Sequence, residues 1–108
     1  MTIPSEHMEQ VRFVSWFRKT YPEHWIFAVP NGGNRNRVTA AQMKAEGVMR
    51  GVPDLFVPSM GLWIEMKRQK GGTLSPDQKA WRDYLHQHNY RWILGKGFED
   101  AKSQVISL

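Results

Sequence analysis

Two short apolar segments joined by a tight connection limit the possible folds of this chain most strongly. The segments read PDLFVP (residues 53–58) and GLWIEMK (residues 61–67), and Gly61 can supply the turn between them. We therefore expect two strands that pair antiparallel. Because side chains alternate between the two faces of a strand, Glu65 and Lys67 should project side by side from one face of the second strand.

Helix and strand signals alternate along the rest of the chain. The expected elements are a helix from about Ser5 to Lys19, a strand in WIFAVPN, a helix from about Thr39 that stops at Gly47, a helix that starts with Ser75, Pro76 and the capping-box residue Gln78, a strand in YRWILG and a closing helix in FEDAKSQVISL. This order predicts an α/β fold with a mixed central sheet of about four strands flanked by helices. A chain of 108 residues fits a single domain, residues 1–108.

The composition excludes several classes of site. The chain has no cysteine, so it can form neither disulfides nor thiolate metal centres, and its four histidines do not have the spacing of zinc ligands. Apolar runs are shorter than a bilayer span and the N-terminus does not resemble a signal peptide, so we expect an intracellular, cytoplasmic protein without a membrane partner. A formal charge of +5 favours a polyanionic partner.

Asp54 and Glu65 are the candidate reactive acids. Asp54 starts the first strand of the hairpin, and antiparallel pairing should bring it close to Glu65 on the second strand. Two adjacent carboxylates repel each other unless a proton or a cation lies between them, and oxygen ligands suit Mg²⁺ or Mn²⁺. With Lys67 able to orient a water, this arrangement suits phosphodiester hydrolysis. The alternative is that Asp54 only stabilises a turn and that Glu65 and Lys67 form an exposed pair.

Three motifs extend this pattern over most of the chain. Pro53-Asp54 followed by Glu65-Met66-Lys67 resembles the PD-(D/E)xK nuclease superfamily. The segments PNGGNRN, GVMRGVPDLFV and WIEMKRQKGGTLSPDQKAW together resemble the virus-type replication-repair nuclease domain, VRR-NUC. The resemblance implies a restriction-endonuclease-like core and a metal-dependent DNA endonuclease that leaves a 5′-phosphate and a 3′-hydroxyl.

The resemblance also assigns roles to individual residues. It implies that Asp54 and Glu65 bind Mg²⁺ or Mn²⁺ together with the main-chain carbonyl of Met66, and that Lys67 serves the attacking water. Two further members of the catalytic set would be Glu9, as an acid from the first helix that can also reach the metal, and Gln78. Each has a structural alternative, since acids favour helix N-termini and glutamine completes a capping box.

The substrate and its contacts are the remaining expectations. The resemblance implies branched DNA, such as a Holliday junction in DNA repair, and a homodimer. Phosphate contacts are expected from Asn31, Asn34, Arg35, Arg37, Arg50, Arg68 and Lys70, although such loops are often only solvated. The five tryptophans are interpreted as core residues and not as base-stacking surfaces. Two other functions are a non-catalytic DNA-binding module on the same fold and a site-specific restriction-type endonuclease.

Overall fold

The chain folds into a four-stranded sheet with helices on both faces. The structure, a computed structural model, describes residues 2–30 and 37–108, with only the backbone of Arg37. In chain order the elements are α1 (Glu6–Thr20), β1 (Phe27–Ala28), α2 (Arg37–Ala45), β2 (Leu55–Val57), β3 (Leu62–Lys67), α3 (Pro76–Gln87), β4 (Arg91–Lys96) and α4 (Phe98–Ile106). The predicted order of helices and strands is confirmed, and α2 begins two residues earlier than expected. No helix in the described ranges has the length and hydropathy needed to cross a bilayer.

The sheet is mixed, as predicted. Its strand order is β1-β2-β3-β4, with β1 and β3 antiparallel to β2 and with β4 parallel to β3. The expected hairpin is formed by β2 and β3, in which Leu55 lies opposite Ile64. A single 3₁₀ turn, Pro58–Met60, connects the two strands, and Gly61 follows it in the left-handed conformation with a φ of 56°.

Side-chain caps fix the beginnings of two helices. At α1, the side chain of Ser5 accepts a hydrogen bond from the amide of Met8. At α3, the predicted capping box is present, because Ser75 accepts from the Gln78 amide while the Gln78 side chain accepts from the Ser75 amide. These caps set the positions at which both helices start relative to the sheet.

The hydrophobic core lies between one face of the sheet and helices α1 and α4. Its fully buried members come from several elements and include Phe13, Phe17, Leu55, Val57, Leu62, Ile64, Met66 and Ala101. The opposite face carries Glu65 and Lys67, and there α3 packs against β4. Polar and reactive side chains are therefore kept on the face away from the core.

The expectation that all five tryptophans belong to the core is wrong for Trp25, whose surface is 81% exposed. Trp25 precedes the two-residue strand β1, where the edge of the sheet gives it no covering layer. Trp16 does pack against the core, next to Phe13. Trp63, Trp81 and Trp92 are half-buried and do not count among the core residues.

Replacing Gly95 by alanine should destabilise the fold, because β4 and α4 touch at this residue. A β-carbon on Gly95 would lie 2.6 Å from Cβ of Ala101 and 3.3 Å from Sδ of Met66. We expect Gly95→Ala to lower the free energy of unfolding by about 1–3 kcal/mol, the usual cost of overpacking, as measured by urea denaturation. The same substitution in an Ala101→Gly background should cost less, since the opposing methyl is gone. Equal costs in the two backgrounds would contradict this contact.

Candidate active site

The hairpin register brings Asp54 and Glu65 together. Because Leu55 pairs with Ile64, the next positions along the ladder are Asp54 and Glu65. The carboxylate of Asp54 reaches across to β3, where its Oδ2 accepts a hydrogen bond of 2.8 Å from the amide of Met66. The predicted convergence of the two acids is therefore present, and a backbone amide of the neighbouring strand fixes the orientation of Asp54.

Glu65 lies at the centre of the site and is almost inaccessible, with 2% of its surface exposed. Its Oε1 accepts a hydrogen bond of 2.6 Å from Nε2 of Gln78 and lies 3.7 Å from Nζ of Lys67. Its Oε2 is buried and has no hydrogen-bond partner among the described residues. One oxygen of this carboxylate is thus held by the protein, whereas the other is left available to a ligand.

The side chain of Gln78 bonds both the cap of α3 and the candidate site. Its Oε1 accepts from the amide of Ser75 and completes the cap of α3, while its Nε2 donates to Glu65. Because the amide plane is fixed at both ends, Gln78 also fixes the rotamer of Glu65. The structural and functional explanations of this residue are therefore compatible.

Burial and mutual repulsion make both acids hard to ionise. Desolvation by burial, together with the charge of Asp54, raises the pKa of Glu65 to about 8, against the opposing effect of Lys67. Desolvation also raises the pKa of Asp54 to about 6, although the hydrogen bond from Met66 acts in the opposite direction. A cation between the two carboxyls would relieve both effects.

Glu6, in the first turn of α1, also carries a negative charge that acts on this pair. The charge of Glu6 raises the pKa of both Asp54 and Glu65. Glu6 was not among the residues predicted for the site, although it lies seven residues before Phe13 and hence on the same helical face as that core residue. Its position in the first turn also matched the general preference of acids for helix N-termini, which hid its relation to the site.

Glu9 occupies a different environment, against the start of α4. It is fully buried, a β-carbon built on Gly97 would lie 2.5 Å from its Oε2, and Nη1 of Arg12 lies 3.9 Å from its Oε1. Within residues 2–30 and 37–108, neither carboxylate oxygen has a hydrogen-bond partner. Its burial contradicts the expectation of a solvated helix-start acid. The role of Glu9 at the metal site stays a prediction.

The residues present fit a hard divalent cation. Asp54 and Glu65 offer two converging carboxylates, and the unpartnered Oε2 of Glu65 is an oxygen that a cation would satisfy. Among residues 2–30 and 37–108, no group of three or more His, Cys, Asp or Glu side chains is close enough to hold a metal. A cation here would therefore complete its coordination with main-chain oxygen and water, as Mg²⁺ usually does.

Comparison with solved structures identifies this architecture. A solved chain described as a VRR_NUC domain protein superimposes with a TM-score of 0.77, a structural match covering 96% of this chain and 87% of the other at 23% sequence identity. The chain has the VRR-NUC fold. The fold implied by the resemblance in the motifs is thereby confirmed. No family model and no curated protein matches the sequence.

Three of the residues expected to contact DNA lie on two described connections of the fold. Arg68 and Lys70 are exposed directly after β3, next to the acids. Arg50 is exposed before β2, and its carbonyl accepts a hydrogen bond from Nε1 of Trp81. The other expected contacts, Asn31, Asn34, Arg35 and the side chain of Arg37, lie outside the described residues. All of these assignments stay predictions.

The metal-free protein should lose stability as the pH rises. Below their ordinary pKa values of 3.8 and 4.5, Asp54 and Glu65 are neutral in both the folded and the unfolded chain, so their contribution to stability is complete. It is lost as the pH rises through about 6 and about 8, where ionisation in the buried site becomes necessary. Melting temperatures in EDTA between pH 5 and pH 9 measure this loss.

Glu65→Gln is the informative variant in that experiment, since the amide cannot ionise and the decline between pH 6 and pH 8 should flatten. Glu46→Gln, which changes an exposed carboxylate, is the matched control and should leave the profile unchanged. Parallel pH profiles for Glu65→Gln and the wild-type protein would show that Glu65 titrates normally.

Proposed function

We propose that the protein is a metal-dependent DNA endonuclease that hydrolyses phosphodiester bonds. The observation that carries the proposal is the buried pair of Asp54 and Glu65, with Gln78 and Lys67 both directed at one oxygen of Glu65. The VRR-NUC fold supplies the nuclease class, because the similar structure is named for that domain. Neither line of support is sufficient alone, since folds host many activities and acidic pairs occur at many sites.

Asp54, Glu65 and the main-chain carbonyl of Met66 would hold one Mg²⁺ or Mn²⁺ ion. When bound, such an ion polarises a phosphoryl oxygen and offsets the negative charge that develops during hydrolysis. Two hydrogen bonds orient the carboxylates for this ion. The backbone N–H of Met66 holds Asp54, and the side-chain Nε2 of Gln78 holds Glu65. Glu6 adds negative charge near both ligands, which stabilises a bound divalent cation and also raises the pKa of both acids.

Lys67 would orient and activate the attacking water. Its ammonium group lies 3.7 Å from Oε1 of Glu65, and only 12% of its side chain is exposed. A lysine held this way has lost most of its freedom, so its N–H groups can hold a water at a defined place. Its positive charge also stabilises the carboxylate form of Glu65 against desolvation.

The substrate proposed is branched or otherwise structured DNA, cut by a homodimer. The formal charge of +5 favours a polyanion. Arg50, Arg68 and Lys70 are exposed on connections beside the site, where cations offset the repulsion between the acids and the phosphates. A pair of active sites, one in each subunit, would cut two strands of such a junction.

Removing any of three side chains should abolish cleavage while DNA binding persists. We expect Asp54→Asn, Glu65→Gln and Lys67→Ala each to slow Mg²⁺- or Mn²⁺-dependent cleavage by about 10²–10⁴-fold or more, because each removes a group that acts on the reacting atoms. Labelled duplex, single-stranded, flap and four-way junction DNA are the substrates. Lys79→Ala removes an equal charge from the exposed surface of α3 and should cut normally.

The same panel separates the alternative functions. If the wild-type protein binds these DNAs but cuts none of them with either metal, the protein is a binding module. If it cuts plasmid DNA into discrete fragments without preference for branches, it is a site-specific endonuclease.

Glu6 and Glu9 should differ in their effect on metal dependence. We expect Glu6→Gln to raise the Mn²⁺ concentration needed for half-maximal cleavage by about 3- to 30-fold. The substitution removes one negative charge that attracts the cation, and solvent partly screens that attraction. Glu9→Gln should leave that concentration unchanged, because its contacts are with α4 and its own helix. The reverse result would restore Glu9 as the acid of the site.

A further inference from the structure

A row of aromatic side chains crosses the sheet on the face that carries the acids. Phe27, Phe56, Trp63 and Trp92 are register partners, one on each of the four strands. The rings of Phe56 and Trp63 are stacked, with centroids 4.1 Å apart and an interplanar angle of 25°. Phe27 meets Phe56 edge to face at 5.9 Å. The hydrophobic core lies on the other face, so this row is not part of it.

One end of the row is covered and the other is open. At the β4 end, His86 of α3 meets Trp92 edge to face at 6.1 Å. At the β1 end, Phe27 is 48% exposed, and Phe56 and Trp63 are only half-buried. Tyr90, which is 42% exposed, extends the open surface with its ring 6.3 Å from Phe56. Aromatic surface left open to this extent is typical of a binding face.

The open part of the row adjoins the acids. Asp54 precedes Phe56 by two residues and Glu65 follows Trp63 by two residues. On each strand an acid and an aromatic residue therefore share a face, with their Cα atoms about 7 Å apart. A nucleotide next to the phosphate at the acids would therefore have its base above these rings.

We propose that Phe27, Phe56 and Trp63 form a stacking platform for unpaired bases next to the phosphate that is cut. The proposal deepens the proposed endonuclease function and rests on it. Bases inside a duplex have both faces covered by their neighbours, so only unpaired nucleotides can lie on such rings. The preferred substrates would therefore be DNAs with single-stranded nucleotides at the cleavage position, such as overhangs, flaps or open junctions.

Charge and position favour DNA over a second copy of the chain on this face. The formal charge of +5 attracts a polyanion such as DNA. The exposed Arg91 follows Tyr90 directly and can meet a phosphate of a bound strand. A second copy seated on the row would also cover both acids and close the site to its substrate.

Abasic nucleotides test the platform, because they keep the phosphate charge and remove the base. Binding is measured by fluorescence anisotropy with Lys67→Ala protein and Mg²⁺, using a labelled duplex with a single-stranded overhang. Abasic residues in the overhang should weaken binding by about 5- to 150-fold, the usual range for loss of one aromatic–base stack. Phe27→Leu and Phe56→Leu in the same protein should weaken binding of the intact overhang by a similar factor, and binding of the abasic overhang far less.

Tyr84→Leu is the matched control, since Tyr84 is a comparably exposed aromatic on α3, 53% exposed, outside the row. It should leave binding of both DNAs unchanged. Equal affinity for intact and abasic overhangs would overturn the platform. So would light scattering that shows Phe27→Leu converting a dimer to a monomer, which would make the row an interface between copies.

The binding assay tests the stacking platform, and the cleavage assay tests the nuclease function, so each proposal can be rejected independently of the other. If wild-type protein cuts DNA but cuts intact and abasic overhangs at equal rates, the nuclease proposal stands and the platform is wrong. If base-dependent binding is found but no DNA is cut with either metal, the stacking role of the rings is supported and the nuclease proposal is wrong.

Discussion

The antiparallel register between β2 and β3 is the constraint on which the site depends. Pairing of Leu55 with Ile64 sets Asp54 opposite Glu65 and directs both away from the core. A slip of one residue would turn every side chain of β3 to the other face, placing Glu65 among the apolar residues and Met66 outside. Burial of the apolar face therefore selects the register. The same hydrophobic burial that stabilises the sheet also places Asp54 opposite Glu65.

The site combines two opposing requirements. Its carboxyls must be sheltered from bulk water to hold a cation and direct a reaction, yet shelter raises their pKa and favours protons over metal. Lys67 and the Met66 amide counter this tendency by stabilising the ionised forms. Glu6 opposes them, but its negative charge also attracts the cation that would displace the proton.

Local signals in the sequence were sufficient for the hairpin, the capped helix and the convergence of Asp54 with Glu65, because each depends on residues close together in the chain. The choice between Glu6 and Glu9 was not local. Both lie in the first turns of α1, and only the packing of that helix against β3 and α4 decides which one is near the acids. The exposure of Trp25 could not be predicted from the sequence either. An apolar segment does not show whether its strand lies at the edge or in the centre of a sheet.

Gln78 links the secondary structure of α3 to the state of the site. The amide group that closes the first turn of this helix is the same group that holds Glu65. Fraying of that turn would therefore remove one of the two described groups that hold Glu65, leaving Lys67 beside its carboxylate. By thermodynamic reciprocity, a ligand that holds Glu65 in place would also stabilise the first turn of α3 and slow the exchange of its backbone amides.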